Sequence, residues 1–279
     1  MMTQLIPWVD GLDSAKSVQD IIAGLKIWAV TGVAKQAVVS GPANRHARRQ
    51  EIKDALRKAG FRFKIIDGLK VYSVVPKPKT GSRPPFDFDN LEHWNFFFAE
   101  IERLRTMRDT LLLDLETAWD GIVNGTRTMP NLKFDSPFTE ALRNLAAMPI
   151  KLVWYPAAVG ADTNLDRAMT ILDHVDRYLK QDQLSFVSLE RSYPDSLRST
   201  MKRTAHARLS TIDRPMIPQM FCYESTKTWT TNGVIAHLIL HGRDAPGQTL
   251  LYPGSDAWVE KSKELAKAFS EAGWGKAKK

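Results

Sequence analysis

The stretch TLLLDLE, Thr110 to Glu116, decides how the rest of the chain is read. It is an apolar run too short for a stable helix, set between two segments of helical period, Leu91 to Met107 before it and Pro137 to Ala147 after it. A buried strand between helices is the unit of a parallel βα repeat, because parallel neighbours need a crossover and a helix supplies one.

Working outward, the alternation recurs in both directions. Upstream, LIPWVD (Leu5 to Asp10) precedes a helix over Ser17 to Val30, QAVVS (Gln36 to Ser40) precedes one over Arg48 to Ala59, and a third strand is expected over Phe61 to Asp67. Between that strand and Leu91 lies an excursion, Gly68 to Asn90, with a possible hairpin strand LKVYSVV and the loop PKPKTGSRPPFDFDN. Downstream, the strand Ile150 to Ala157 is followed by a helix Leu165 to Leu179, LSFVSLE (Leu184 to Glu190) by a helix Ser196 to Leu209, and PQMFCYE (Pro218 to Glu224) by a short helix Gly233 to His241 that could also be read as a strand. QTLLYP (Gln248 to Pro253) and the amphipathic Ala257 to Ala272 complete an eighth pair. The expected class is α/β, a closed (β/α)8 barrel forming one domain over residues 1–279, with the excursion 68–90 and a basic tail 273–279. A doubly wound sheet is disfavoured, since no GxGxxG and no GxxxxGK[ST] occurs.

Composition narrows the function classes. With 43% hydrophobic and 25% charged residues the chain is neither disordered nor collagen-like. No run of about 18 apolar residues appears, and the first residues lack a basic segment leading into an apolar one. The expectation is a soluble protein, cytoplasmic at synthesis, with no membrane partner; any export goes by another route. The single cysteine, Cys222, excludes a disulfide scaffold and reads as a packing thiol. A net charge of +8 favours polyanionic partners, either an acidic cell-wall polymer or nucleic acid. Part of the excess sits in Arg45, Arg48, Arg49, Lys53, Arg57 and Lys58, where a solvated helix face is the plainer reading, and part in Lys276, Lys278 and Lys279.

Chemistry is expected at the strand ends. Side chains alternate along a strand, so Asp114 and Glu116 should enter one lumen at the C-terminal end of the fourth strand, where barrel active sites are built. Two adjacent carboxyls cannot both ionise freely, and a carboxyl that keeps its proton near neutral pH can act as a general acid. A divalent-metal site or a capping carboxylate is the alternative for the pair. Glu190 and Glu224 end the sixth and seventh strands and Asp10 the first, and lumen ion pairs are the plainer reading of the two glutamates. Flanking carboxyls of this kind suit glycoside hydrolysis. Trp119, Tyr155, Tyr223, Trp229, Tyr252 and Trp258, with Trp154 and Tyr193, fall near the same rim and could stack on sugar rings. His237 and His241 lie four apart, but HLILH has no glutamate and no evident third ligand; no metal and no cofactor is expected.

At TLLLDLETAW the chain resembles two families of TIM-barrel glycosidases, the family 25 muramidases, with their D-x-E, and the family 18 chitinases, with D-x-x-D-x-D-x-E. Asp109, Asp114 and Glu116 match the second pattern, with Leu112 in place of its middle Asp; Asp114, Glu116 and Asp10 match acids of the first. The resemblance implies a glycosidase acting on a cell-wall or chitin-like amino-sugar polysaccharide, with Glu116 as general acid and Asp114 as its partner; Glu224, at the end of a seventh strand that lies across the barrel from the fourth, is the expected opposing carboxylate. LLLDLETA also resembles the first motif of DEDD-type 3′–5′ exonucleases, with NLKFD (Asn131 to Asp135) and YLKQD (Tyr178 to Asp182) as further fragments; that alternative implies metal ions and a nucleic-acid partner. A non-catalytic structural or binding barrel is the other alternative, and oligomeric state is not readable.

Overall fold

The computed structural model describes residues 4–12, 15–104, 110–155, 164–188, 216–221, 229–241, 248–253 and 257–275. Its strands are β1 Gln4–Val9, β2 Gln36–Gly41, β3 Lys64–Lys70, β4 Thr110–Asp114, β5 Lys151–Tyr155, β6 Leu184–Ser188, β7 Met216–Phe221 and β8 Gln248–Tyr252. Each pairs in parallel with the next, and β8 pairs with β1 from Gln4↔Gln248 to Pro7↔Leu251, so the sheet curls into a closed barrel. The seam is thinnest between β1 and β2, where Trp8↔Val38 and Val9↔Val39 are the paired positions.

The helices are α1 Ala15–Thr31, α2 His46–Lys58, α3 Leu91–Leu104, α4 Glu116–Val123, α5 Pro137–Ala147, α6 Leu165–Tyr178, α7 Thr231–His241 and α8 Trp258–Glu271. Among the described residues a helix follows every strand but β6; the helix expected over Ser196 to Leu209 lies outside them. The segment Gly233 to His241 is helical, within α7. No helix among the described residues is long and apolar enough to cross a membrane.

The period-2 alternation sorts side chains into two layers. Ile6, Trp8, Val38, Ile66, Leu112, Val153, Ile217 and Leu250 form the apolar packing inside the barrel. Their odd-numbered neighbours on β4, Leu111 and Leu113, join Leu152 and Trp154 of β5 and α3 to α6 in the outer layer. The first and last helices clasp there. Trp28 Nε1 donates to Ser262 Oγ at 3.1 Å, and Trp258 Nε1 donates to the Ile21 carbonyl at 3.3 Å. That approach requires a glycine at position 24, where a Cβ would stand 2.2 Å from Trp258 Nε1.

Local capping explains why some boundaries were readable. Ser136 accepts from the Thr139 N–H at 3.2 Å with Pro137 in the first turn, which starts α5 where the sequence indicates. Elsewhere the expectation is corrected. The third strand starts three residues later than expected and runs through Gly68 to Lys70, so the excursion begins at Val71. Its first residues, Val71–Val74, form a 3-10 turn and not a hairpin strand. The rest is pinned by Phe86 and Phe88, which pack edge-on against each other and against Trp94 and Phe138.

The basic helix is only partly a solvated face. Arg49 is fully buried, donating to the carbonyls of Gly41 at 2.8 Å, Gly68 at 2.9 Å and Pro42 at 3.0 Å, and Lys53 pairs with the buried Asp67 at 2.8 Å. These cations tie α2 to the ends of β2 and β3, and leave the polyanion-facing charge smaller than the sequence count suggests.

Candidate active site at the C-terminal mouth

The fourth strand ends at Asp114, Leu115 occupies the cap position, and Glu116 opens α4. Glu116 is therefore not a strand residue, as the alternation had suggested; the early helix start sets its direction. The two acids are nevertheless linked, since the Glu116 N–H donates to Asp114 Oδ1 at 3.3 Å. That bond satisfies one of the free N–H groups of the first helical turn and fixes where Glu116 stands. Asp114 is buried at 6% exposure, whereas Glu116 is exposed at the rim.

Two further charged groups share this mouth. Lys70, the last residue of β3, is in register with Asp114 on β4. Its ammonium reaches Asp10 Oδ2 at 3.1 Å, just past the end of β1. The intervening strand, β2, puts only Ser40 between them at the level of Gly68. Burial alone would lower the Lys70 ammonium, but the charge and hydrogen bond of Asp10, with Tyr72 and Asp114, outweigh it and hold the group above the ordinary lysine range.

Asp114 is pushed up to about 7. Burial is the main cause, the negative charges of Asp10 and Glu116 add to it, and the Glu116 N–H and Lys70 pull the other way. Glu116 is also held above its usual range, first by partial loss of water and then by Asp120, against the attraction of Lys70. The mouth thus holds a buried carboxyl that keeps its proton close to neutral pH, an exposed carboxyl at the rim, and a fixed ion pair beside them.

Of the other expected site residues, Glu190, Tyr223 and Glu224 and the side chain of Tyr155 lie outside the described residues, as do Asp109, Tyr193 and Cys222. Tyr252 is half-buried in the lumen, its ring 6.0 Å from Trp8 in an edge-on contact. Three tryptophans do not line the mouth. Trp119 is buried with α3 to α6, Trp258 is buried against α1, and Trp229 packs on the core around α1, with its ring against His237. Each sits on a helix or helix approach whose apolar stripe must face the sheet, and a large ring there is core. Trp154 is likewise in the outer layer, as its odd position on β5 requires. Lys70 and Trp8 were missed by sequence reasoning. The lumen parity of β3 and β1 was the available signal, obscured for Lys70 by the expected hairpin.

The nuclease constellation is not assembled. Asp182 precedes β6 and lines a cavity at the N-terminal mouth, at the opposite end of the barrel from Asp114, and Asp135 is exposed before α5.

Comparison with known proteins gives the fold. No protein-family profile and no curated protein matches the chain. Among solved structures, the PgaB (BpsB) glycoside hydrolase domain from Bordetella bronchiseptica superposes with a TM-score of 0.54 at 11% identity, covering 99% of this chain and 100% of that one. The truncated 3-deoxy-D-arabino-heptulosonate 7-phosphate synthase from Thermotoga maritima gives a TM-score of 0.49 at 7% identity, covering 98% of this chain and 89% of that one. The β-amylase catalytic domain from Paenibacillus polymyxa gives 0.47 at 9% identity, covering 96% and 99%. At such identities the likeness is one of architecture, a TIM-barrel-type parallel sheet wrapped by helices.

Proposed function

We propose that this chain is a glycoside hydrolase-like barrel that acts on a cell-wall or chitin-like amino-sugar polysaccharide by carboxylate general acid catalysis. The observation that carries the reading is Asp114, a carboxyl buried at the C-terminal end of a barrel strand and held up to about 7 beside two further acids. Glu116, exposed at the rim, is the group that meets the glycosidic oxygen and gives it a proton as the bond from the anomeric carbon breaks. Asp114 positions Glu116 by accepting its first-turn N–H, and the raised carboxyls of the two residues keep a proton on the pair. Water completes the reaction at the anomeric carbon, with Glu224 proposed as the carboxylate on the other side of the sugar. Asp10 and Tyr252 are proposed to contact the substrate, and Glu190, Tyr155 and Tyr223 are held as further contacts on sequence grounds.

The test is a paired assay. The full chain is incubated with purified cell walls and with labelled chitooligosaccharides, with and without EDTA, beside D114N and E116Q. Release of reducing ends that survives EDTA and falls by about 10²-fold or more in both variants is the expected result. EDTA-sensitive release of nucleotides from single-stranded DNA in a parallel assay overturns it in favour of a metal-dependent nuclease. Silence on every substrate overturns it in favour of a non-catalytic barrel.

A further inference from the structure

Among the described residues, the opposite, N-terminal mouth of the barrel is closed by no side chain. It holds a cavity of about 590 Å³, whose floor is the apolar lumen layer of Ile6, Val38, Ile66, Leu112, Val153 and Leu250. That volume lies within the range of small-molecule sites, roughly 300–1,000 Å³. Barrel interiors are packed cores, and the residues that line this end are not those of an apolar plug. The outermost lumen positions of successive strands are Gln4, Gln36, Lys64, Thr110, Lys151 and Ser185, all polar, two of them cations and none acidic.

The cations are grouped. Lys64, Thr110 and Lys151 come from the adjacent strands β3, β4 and β5. Lys64 Nζ donates to Thr110 Oγ1 at 3.5 Å, and Thr110 is in register with Lys151. A hydroxyl that meets one ammonium and stands in register with a second lysine on the same lining suits an oxyanion, which can accept hydrogen bonds from all three and neutralise the like charges. Amides from Gln4 and Gln36 face the same cup and offer donors and acceptors to hydroxyl groups. Among the described residues the one acid on the lining is Asp182, exposed at the lip on the approach to β6.

We propose that this mouth is a second binding site, for a small hydroxylated anion such as a sugar phosphate or sugar acid, held by its oxyanion between Lys64 and Lys151. The site stands independently of the proposed catalytic mouth, from which the apolar lumen layer separates it. The experiment titrates the full chain with inorganic phosphate, with glucose 6-phosphate and with glucose, by calorimetry and by chemical-shift perturbation. Saturable binding of phosphate and glucose 6-phosphate is expected, with glucose silent. K64Q/K151Q should weaken binding by at least about tenfold, T110V should weaken it less, and D114N should leave it unchanged. The lysines are exposed and their replacement leaves the packed layers untouched, so thermal melts of the variants should match the parent. No saturable binding below about 10 mM overturns the proposal, as does equal binding by K64Q/K151Q; loss of binding in D114N assigns the anion to the other mouth and overturns it as well.

Discussion

Lys70 joins Asp10 across an intervening strand, its Nζ standing 3.1 Å from Asp10 Oδ2 although β1 and β3 are not neighbours in the sheet. The long lysine stem allows this because β2 places only a serine at that level of the lumen. Lys70 is also the cation that holds Asp114 down against burial and two neighbouring acids. K70M should therefore raise the Asp114 carboxyl further above about 7, while K70R should leave it nearly in place. Carboxyl-carbon NMR titration of the two variants reads this directly. A downward shift in K70M would mean that the lysine does not act on Asp114 through its charge.

Asp114 also makes stability depend on pH in a definite direction. An aspartate in the unfolded chain titrates near ~3.9, and in the folded protein this one titrates at about 7, so between those values the folded state binds a proton that the unfolded state has released. The contribution is fully present below about pH 4 and is lost as the pH rises through about 7, with an upper bound of about 4 kcal/mol. D114N keeps the shape and cannot ionise, so it should gain on the parent protein steadily across that window. Urea midpoints measured at intervals from pH 4 to 8 give the comparison. A difference between the two proteins that does not change with pH would contradict the raised carboxyl.

Glu116 gives a prediction with two readouts. Its charge is one of the causes that raise Asp114, so E116Q should bring Asp114 below about 7 yet leave it well above the ordinary aspartate range, because burial remains the main cause. If Glu116 delivers the proton, the same variant should lower turnover by about 10²–10⁴-fold and change ligand affinity little. Turnover that is unaffected while the Asp114 titration moves would leave Glu116 as a charge neighbour and remove it from the chemistry.

The repeat was legible because its signals are local. Short β-branched or leucine-rich runs, caps such as Ser136 with Pro137, and helical periods survive without tertiary information, and they mark eight strands and most helices. The D-x-E parity was legible only to Asp114. Whether the next residue but one still belongs to the strand depends on where α4 starts, and Leu115 at the cap carries no side-chain signal of a helix start. Lys70 was hidden because LKVYSVV looks like a strand of its own, whereas Leu69 and Lys70 extend β3 through the pairs Gly41↔Leu69 and Lys70↔Asp114. The ion pair with Asp10 is a long-range event that no local pattern encodes.

The tryptophans test whether aromatic residues near strand ends are sugar platforms or core. Trp258 is 2% exposed, donates to the Ile21 carbonyl at 3.3 Å, and fills the space that Gly24 leaves on α1. Trp119 is 1% exposed among the residues of α3 to α6. Truncating a buried tryptophan removes its burial energy and leaves a cavity, typically costing about 3–5 kcal/mol. W258A and W119A should accordingly lower the urea midpoint strongly. At temperatures where the variants stay folded, their affinity for chitooligosaccharides should match that of the parent protein, whereas Y252A, which opens the lumen beside Trp8, should weaken it with a smaller loss of stability. Calorimetric titration alongside the denaturation curves separates the two effects. A W258A protein with near-parent stability and lost sugar binding would place that ring at the mouth and not between α1 and α8.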